Sequence, residues 1–181
     1  MPTIFSHAIF AAAAGKAYAA EPMPLRFWVF TATCAMLPDV DAIGFALGVD
    51  YDSMLGHRGL THSIAFAVLV GLAVGMFAFG KRPSGPGRLQ LIVYFTLVTL
   101  SHPLLDALTN GGLGVALLAP FSAERYFFPF RPIEVSPIGM GFFSARGLEV
   151  LTSEAIWVWA PAIVIYSAAK ICRKLITATK N

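Results

Sequence analysis

The sequence predicts an all-α, polytopic membrane bundle of four or five spans with a long interfacial loop on its outer side. Three observations predict it. Only 13% of the 181 residues are charged and 57% are hydrophobic, whereas a soluble domain carries about 25% charged residues. Apolar runs approaching the roughly 20 residues needed to cross a hydrocarbon core recur along the chain. Basic residues gather in the turns between those runs and at the C-terminus. No hydrophilic block large enough for a second domain interrupts the pattern, so residues 1–181, with a mean hydropathy of +0.71, read as one integral membrane domain.

Segment 3–20 is Ala-rich and carries His7 and Lys16 within its apolar stretch. It lacks the basic start and the cleavage pattern of a secretory signal, so retention as a short or amphipathic helix is expected. Segment 25–37 begins at Arg26 and stops at Pro38. The strongest spans are 60–80 and 89–108, joined by the basic turn Lys81-Arg82-Pro83-Ser84-Gly85-Pro86-Gly87-Arg88, whose Pro and Gly residues break helices. A further span, 154–172, contains Trp157, Trp159 and Tyr166 and runs into Lys170, Arg173 and Lys174. Residues 109–153 form the only long connection, rich in Gly, Pro and aromatics around Tyr126-Phe127-Phe128-Pro129-Phe130-Arg131-Pro132. Connections of this length are commonly functional or disordered, and this one is too apolar for disorder. It is expected in the outer interface, as a lid or lipid-facing wall over a site or as an anchoring aromatic belt. Cys34 and Cys172 fall toward opposite ends of their helices, too far apart for a disulfide, and read as buried thiols.

The basic residues set an orientation. With Lys81, Arg82 and Arg88 in the cytoplasm, Lys170, Arg173, Lys174 and Lys180 are also there after two further crossings, and Lys16 and Arg26 join them. Nine of the thirteen Lys/Arg then lie inside, as the positive-inside rule expects. The same topology brings His7, Asp39, Asp41, His57, His62, His102, Asp106 and Glu154 to one level near the outer face, from five segments.

These residue types suit a cation. His102 and Asp106 are four apart in an apolar helix, so both leave one face about a turn apart, and ionisable groups at membrane depth usually face a partner or a cavity. Asp39 and Asp41 alternate just past Pro38, where hard oxygen ligands or a base would serve; a solvated helix end is the simpler reading. His57 and His62 flank the opening of the third span, with His62 expected on the rigid helix. Glu154 begins the last span, where a helix-dipole role competes with ligation. His7 lies at the same depth. Imidazoles with carboxylates and no nearby thiolate suit zinc or manganese rather than a closed structural zinc, with enough ligands for one or two ions. Arg58 or Arg131 would fork onto an anionic substrate group or anchor a lipid headgroup.

Ser6-His7, Leu37-Pro38-Asp39-Val40-Asp41, His57-Arg58-Gly59-Leu60-Thr61-His62-Ser63, Ser101-His102-Pro103-Leu104-Leu105-Asp106 and Pro120-Phe121-Ser122 through Arg125 to Phe128-Pro129-Phe130-Arg131-Pro132-Ile133 together resemble the YdjM-like family of bacterial inner-membrane proteins. The resemblance covers nearly the whole chain. It implies a multi-span helical protein of the bacterial inner membrane and a membrane-bound metal-dependent hydrolase. The order His7, Asp39 or Asp41, His62 or His57, then His102 with Asp106 is also distantly similar to the zinc-dependent phospholipase C and single-strand nuclease family. That family's late His-x-x-x-Glu pair is missing here, because no histidine follows His102 and only Glu154 remains. The expected function is therefore hydrolysis of a phosphodiester or phospholipid-like substrate at a His/Asp metal site. Asp39, Asp41, Arg58 and Arg131 are the candidate catalytic groups. The alternatives are a cation- or proton-handling transporter and a non-catalytic membrane scaffold. No nucleotide-binding loop or repeat is present and nucleic acid is not an expected partner; the bilayer and a small-molecule or lipid substrate are.

Overall fold

The computed structural model describes residues 1–79, 86–137 and 139–178. Lys81, Arg82 and Lys180, which helped set the orientation, lie outside the described residues. The chain forms helices α1 (Ile4–Tyr18), α2 (Leu25–Met36), the short α3 (Ile43–Ala46), α4 (Ile64–Phe77), α5 (Arg88–Ala107), α6 (Ala145–Glu154) and α7 (Ala160–Ala178). Three stretches are long and apolar enough to cross a membrane: 25–46, 88–107 and 145–176. Helix α4 is apolar but shorter, and α1 has 15 residues. The result is a helical membrane bundle; among the described residues strand pairing is limited to two isolated β-bridges, Thr109 with Ile133 and Val115 with Tyr126.

Helices α4 and α5 pack as a close pair because Gly71 and Gly75 leave room. A Cβ on Gly71 would stand 2.7 Å from the Thr96 amide nitrogen, and one on Gly75 would stand 2.7 Å from that of Ile92. Helices α1 and α7 run parallel. Trp159 Nε1 donates to Ser6 Oγ at 2.7 Å near one end, and Arg173 donates to the Lys16, Ala17 and Ala19 carbonyls at 2.5–2.7 Å near the other. Below the His/Asp level the bundle is filled by Ala11, Phe27, Cys34, Ala35, Phe79, Leu91, Tyr94, Phe95 and Val98. Beside it, Leu105, Ile133 and Val158 form a smaller cluster with Phe10 and Trp159 packed against it.

Two boundaries differ from the sequence reading. The last helix starts at Ala145, not at 154, and reaches α7 through one π turn, Ala155–Trp159. Its first ten residues are amphipathic, with Arg146, Glu149 and Ser153 interrupting the apolar pattern, so a search for an apolar run begins too late. Glu154 therefore sits ten residues inside the helix, which removes a role at its N-terminal dipole, and the connection shortens to 108–144. His62 lies not on α4 but on a separate 3-10 turn, Leu60–His62. Ser63 intervenes and caps α4, its Oγ accepting from the Phe66 amide at 3.0 Å. Cys34 is buried as expected, but Cys172 is exposed.

The 108–144 connection is held to the rest of this end of the bundle through backbone groups. The amides of Ala116, Ile64 and Ser136 bond the carbonyls of Arg58, Leu117 and Met1 at 2.9–3.0 Å. Arg125 adds donations to the carbonyls of His57 at 3.0 Å, Tyr51 at 2.9 Å and Ser53 at 3.1 Å. Hydrogen bonds from Asn110 and Arg146 hold the Glu134 carboxyl below its usual range.

Candidate metal centre

Four segments converge at one end of the bundle. Helix α2 gives way at Pro38 to a 3-10 turn, Leu37–Ala42, that carries Asp39 and Asp41 inward. The 57–62 turn carries His57, Arg58 and His62, α5 carries His102 and Asp106, and α1 carries His7. His7, His57, His62, His102, Arg58 and Asp106 are all buried.

The orientation of each imidazole follows from what its Nδ1 meets. His102 Nδ1 lies 2.7 Å from the Ala35 carbonyl oxygen. A carbonyl only accepts, so Nδ1 carries the proton and Nε2 keeps its lone pair. His62 Nδ1 lies 3.0 Å from Asp41 Oδ2 and is set the same way. The two Nε2 atoms then face the same two carboxylates. His102 Nε2 is 3.3 Å from Asp39 Oδ1, and His62 Nε2 is 3.7 Å from Asp39 Oδ1 and 3.5 Å from Asp106 Oδ2. An ion bonded tetrahedrally at about 2.0–2.2 Å would hold its ligands roughly 3.3–3.6 Å apart along the edges. In the quartet Asp39, His62, His102, Asp106 three of the six edges, at 3.3, 3.5 and 3.7 Å, lie close to that spacing, and the ligand atoms all lie within 4.8 Å of one another.

The hydrogen-bond inventory fits a cation. His62 Nε2, His102 Nε2 and both oxygens of Asp39 and Asp106 are buried without a hydrogen-bond partner. Buried polar groups are normally satisfied, so a cluster of acceptors left open toward one point is the inverse of a bound positive charge. Zinc or another borderline divalent ion accepts this mixture of imidazole nitrogen and carboxylate oxygen.

His7 stands beside the quartet. Its ring stacks on His102 with centroids 3.7 Å apart, its Nε2 is 3.6 Å from Asp106 Oδ1, and neither ring nitrogen has a hydrogen-bond partner. A second grouping, Asp39, Asp41, His57 and His62, is also close enough for an ion. Asp41, however, already accepts from His57 Nδ1 at 2.7 Å, the Arg58 amide at 3.1 Å, Thr61 Oγ1 at 2.5 Å and His62 Nδ1 at 3.0 Å. Three of these contacts reach Oδ2 and one reaches Oδ1, so both oxygens are engaged by neighbouring groups of the 57–62 turn. Asp41 is thus an orienting partner rather than a free base or ligand, and His57 hangs from it.

Three other expected residues take different places. Arg58 is not available to a substrate anion. Its Nε is 3.0 Å from Asp106 Oδ2, and its two terminal nitrogens donate to Gly111 O at 3.0 Å and Thr109 Oγ1 at 3.1 Å. It holds this position in a left-handed backbone conformation, φ 62°. Arg131 is exposed and lies over the Phe127 ring at 4.7 Å, with no contact to the His/Asp cluster among the described residues. Glu154 is fully buried but spent on the start of α1, accepting from the Thr3 amide, from Thr3 Oγ1 at 2.6 Å and from Ser6 Oγ at 2.7 Å. It fixes the segment that carries His7 instead of joining the quartet.

Four groups escaped the sequence reading: Thr61, which braces Asp41; Thr109, which braces Arg58; the Ala35 carbonyl, which aims His102; and Arg125. Thr61 sits between the two histidines and was within reach of a motif argument. Arg125 stands within the motif that runs from Pro120 to Ile133, where its role was not read, whereas Thr109 and the Ala35 carbonyl act across more than 50 residues and no spacing announces them.

The model of the YdjM inner membrane protein family matches residues 1–176. The chain is 37% identical over 166 residues to inner membrane protein YbcI of Escherichia coli (strain K12), covering 91% of this chain and 95% of that protein. No solved structure matches the chain.

Proposed function

This chain belongs to the YdjM inner membrane protein family, and on that premise we propose that it is a membrane-embedded, metal-dependent hydrolase acting on a phosphodiester or phospholipid-like substrate. The observation that carries the reading is the convergence of two imidazole nitrogens and two carboxylates, none of them hydrogen-bonded and Asp106 ion-paired only to Arg58, with three of their separations at 3.3–3.7 Å. His62, His102, Asp106 and Asp39 hold the ion, with His7 beside Asp106 for an expanded shell or a second ion. When bound, a divalent ion polarises a phosphoryl or carbonyl oxygen and makes water acidic near neutral pH. The protein's own work is orientation. Asp41 and the Ala35 carbonyl aim the two imidazoles, and Arg58 holds Asp106. Asp39, the least enclosed of the four with a side chain 9% exposed, marks the direction from which substrate arrives. In the positive-inside reading this end lies at the outer leaflet and the C-terminus in the cytoplasm, and a lipid-like substrate would enter sideways under the 108–144 connection.

The burial of the quartet favours a second reading, a metal held closed by four protein ligands in a non-catalytic scaffold. Elemental analysis of purified protein beside His102→Ala and Asp106→Ala separates these. The expected result is about one or two equivalents of zinc or manganese, lost in both variants, with release of product from phosphodiester and phospholipid substrates. Metal without turnover, and a cobalt-substituted spectrum of a closed four-coordinate ion, would favour the scaffold. Folded protein that never met a chelator and holds no metal would overturn both.

A further inference from the structure

A trough of about 330 Å³ runs along the outside of the α1–α7 pair, away from the His/Asp centre. Ile9, Ala12, Ala13 and Lys16 line it from α1, and Ala162, Ile163 and Tyr166 from α7. Its volume is at the small end of ligand pockets, which run from about 300 to 1,000 Å³. It exists because three alanines fail to fill the space between two helices whose separation is fixed elsewhere. Trp159 and Glu154 grip Ser6 at one end, and Arg173 grips the last carbonyls of α1 at the other. The walls are apolar and uncovered, Ile9 being 39% exposed and Ile163 63%.

The trough is asymmetric in charge. Lys16 closes the end far from the His/Asp centre, its Nζ 4.8 Å from the centroid of the Trp28 ring. Lys170 follows Tyr166 by one turn on the same face of α7, and the Arg173 guanidinium lies against the Lys16 carbonyl at 2.7 Å. Neither helix carries an Asp or Glu. Glu21 is the nearest acid in sequence and lies beyond the end of α1. Basic pockets between membrane helices recognise anionic headgroups.

From an apolar channel ending in basic residues, we propose that this trough is a binding site for an anionic phospholipid, with one acyl chain along Ile9–Tyr166 and the phosphate at Lys16 and Lys170. A zwitterionic headgroup would bring its own cation against the same lysines and bind less well. The site is separate from the metal centre and does not depend on hydrolysis.

The test is competitive lipid retention. Protein purified in mild detergent is equilibrated with equal amounts of phosphatidylglycerol and phosphatidylcholine of identical chains, and bound lipid is counted by native mass spectrometry. Wild type is expected to keep about one lipid, predominantly phosphatidylglycerol. Lys16→Gln should lower that preference roughly fivefold, the loss of one basic contact, and Lys16→Arg should restore it. Ala13→Phe, which fills the trough, should reduce retention of both lipids, with helicity by circular dichroism as the check on folding. Equal retention of the two lipids by wild type, or a preference that survives Lys16→Gln, overturns the proposal. Should Ala13→Phe not fold, the two Lys16 variants decide alone.

Discussion

His62 and His102 present the same nitrogen to the centre because each has its other nitrogen tied, one to a side chain and one to the backbone. The consequence differs between them. The Ala35 carbonyl cannot be mutated away, whereas Asp41 can. In Asp41→Asn the amide offers one acceptor oxygen where the carboxylate offered two, so His57, the Arg58 amide, Thr61 and His62 compete for it. Metal affinity is expected to fall about 10–100-fold, the usual cost of losing an orienting partner, while His102→Ala abolishes binding. Competition against a chromophoric chelator measures both, and an unchanged affinity in Asp41→Asn would remove Asp41 from the orienting role. At this scale the ligand types were legible, because His102-x-x-x-Asp106 and the His57–His62 turn stand out in an apolar chain. The division of labour between Asp39 and Asp41 was not, since two alternate carboxylates look alike until their donors are known.

Among the elements, the α4–α5 pair depends on the absence of two side chains. A methyl on Gly71 would lie 2.7 Å from the Thr96 amide nitrogen and 2.8 Å from the Ile92 carbonyl oxygen, both backbone atoms that cannot rotate away. Gly71→Ala is expected to destabilise the bundle by about 1–3 kcal/mol, the range for overpacking, read as a lower midpoint of denaturant unfolding in detergent micelles. Wild-type stability in that variant would mean that the helices separate freely. The helix pair itself was plain from two long apolar runs. Helix α6 was not, because its polar stripe hides helical continuity from a reading based on apolar length, and the Ser63 cap that sets His62 on its own turn shows only as one serine in a motif.

For the molecule as a whole, the unpaired groups of the centre link metal to stability. Without an ion, Asp39 and Asp106 share a buried space in which Arg58 pairs with Asp106 alone and neither carboxylate has a hydrogen bond, and unsatisfied buried polar groups cost folding energy. Binding at 100 times the dissociation constant stabilises by about 2.7 kcal/mol, so chelation should lower Tm and readdition of zinc should restore it. Because imidazoles and carboxylates must shed protons to bind, the gap between loaded and chelated protein should narrow as pH falls. An equal Tm with and without chelator across the pH range would argue against an ion at this site. The basic turns led to the expectation that eight residues from five segments share one depth, and the structure brings His7, Asp39, His62, His102 and Asp106 together from four. The ordering of the 108–144 connection was hidden, since it rests on amide-to-carbonyl bonds that leave no residue signature.

The grip of Glu154, Trp159 and Arg173 on α1 also imposes an order on biosynthesis. Helix α1 is made before α7, N-terminal segments generally folding ahead of later ones. It can pack early on α2 through Lys16 and Trp28, yet the side-chain hydrogen bonds that hold Ser6 and the last carbonyls of α1 come from Glu154, Trp159 and Arg173. Ser6, beside His7, therefore gains those bonds only after α7 is made. A nascent protein lacking α6 and α7 would carry His7, His102 and Asp106 without the hydrogen bonds that fix the start of α1, so the centre settles only once α7 joins α1.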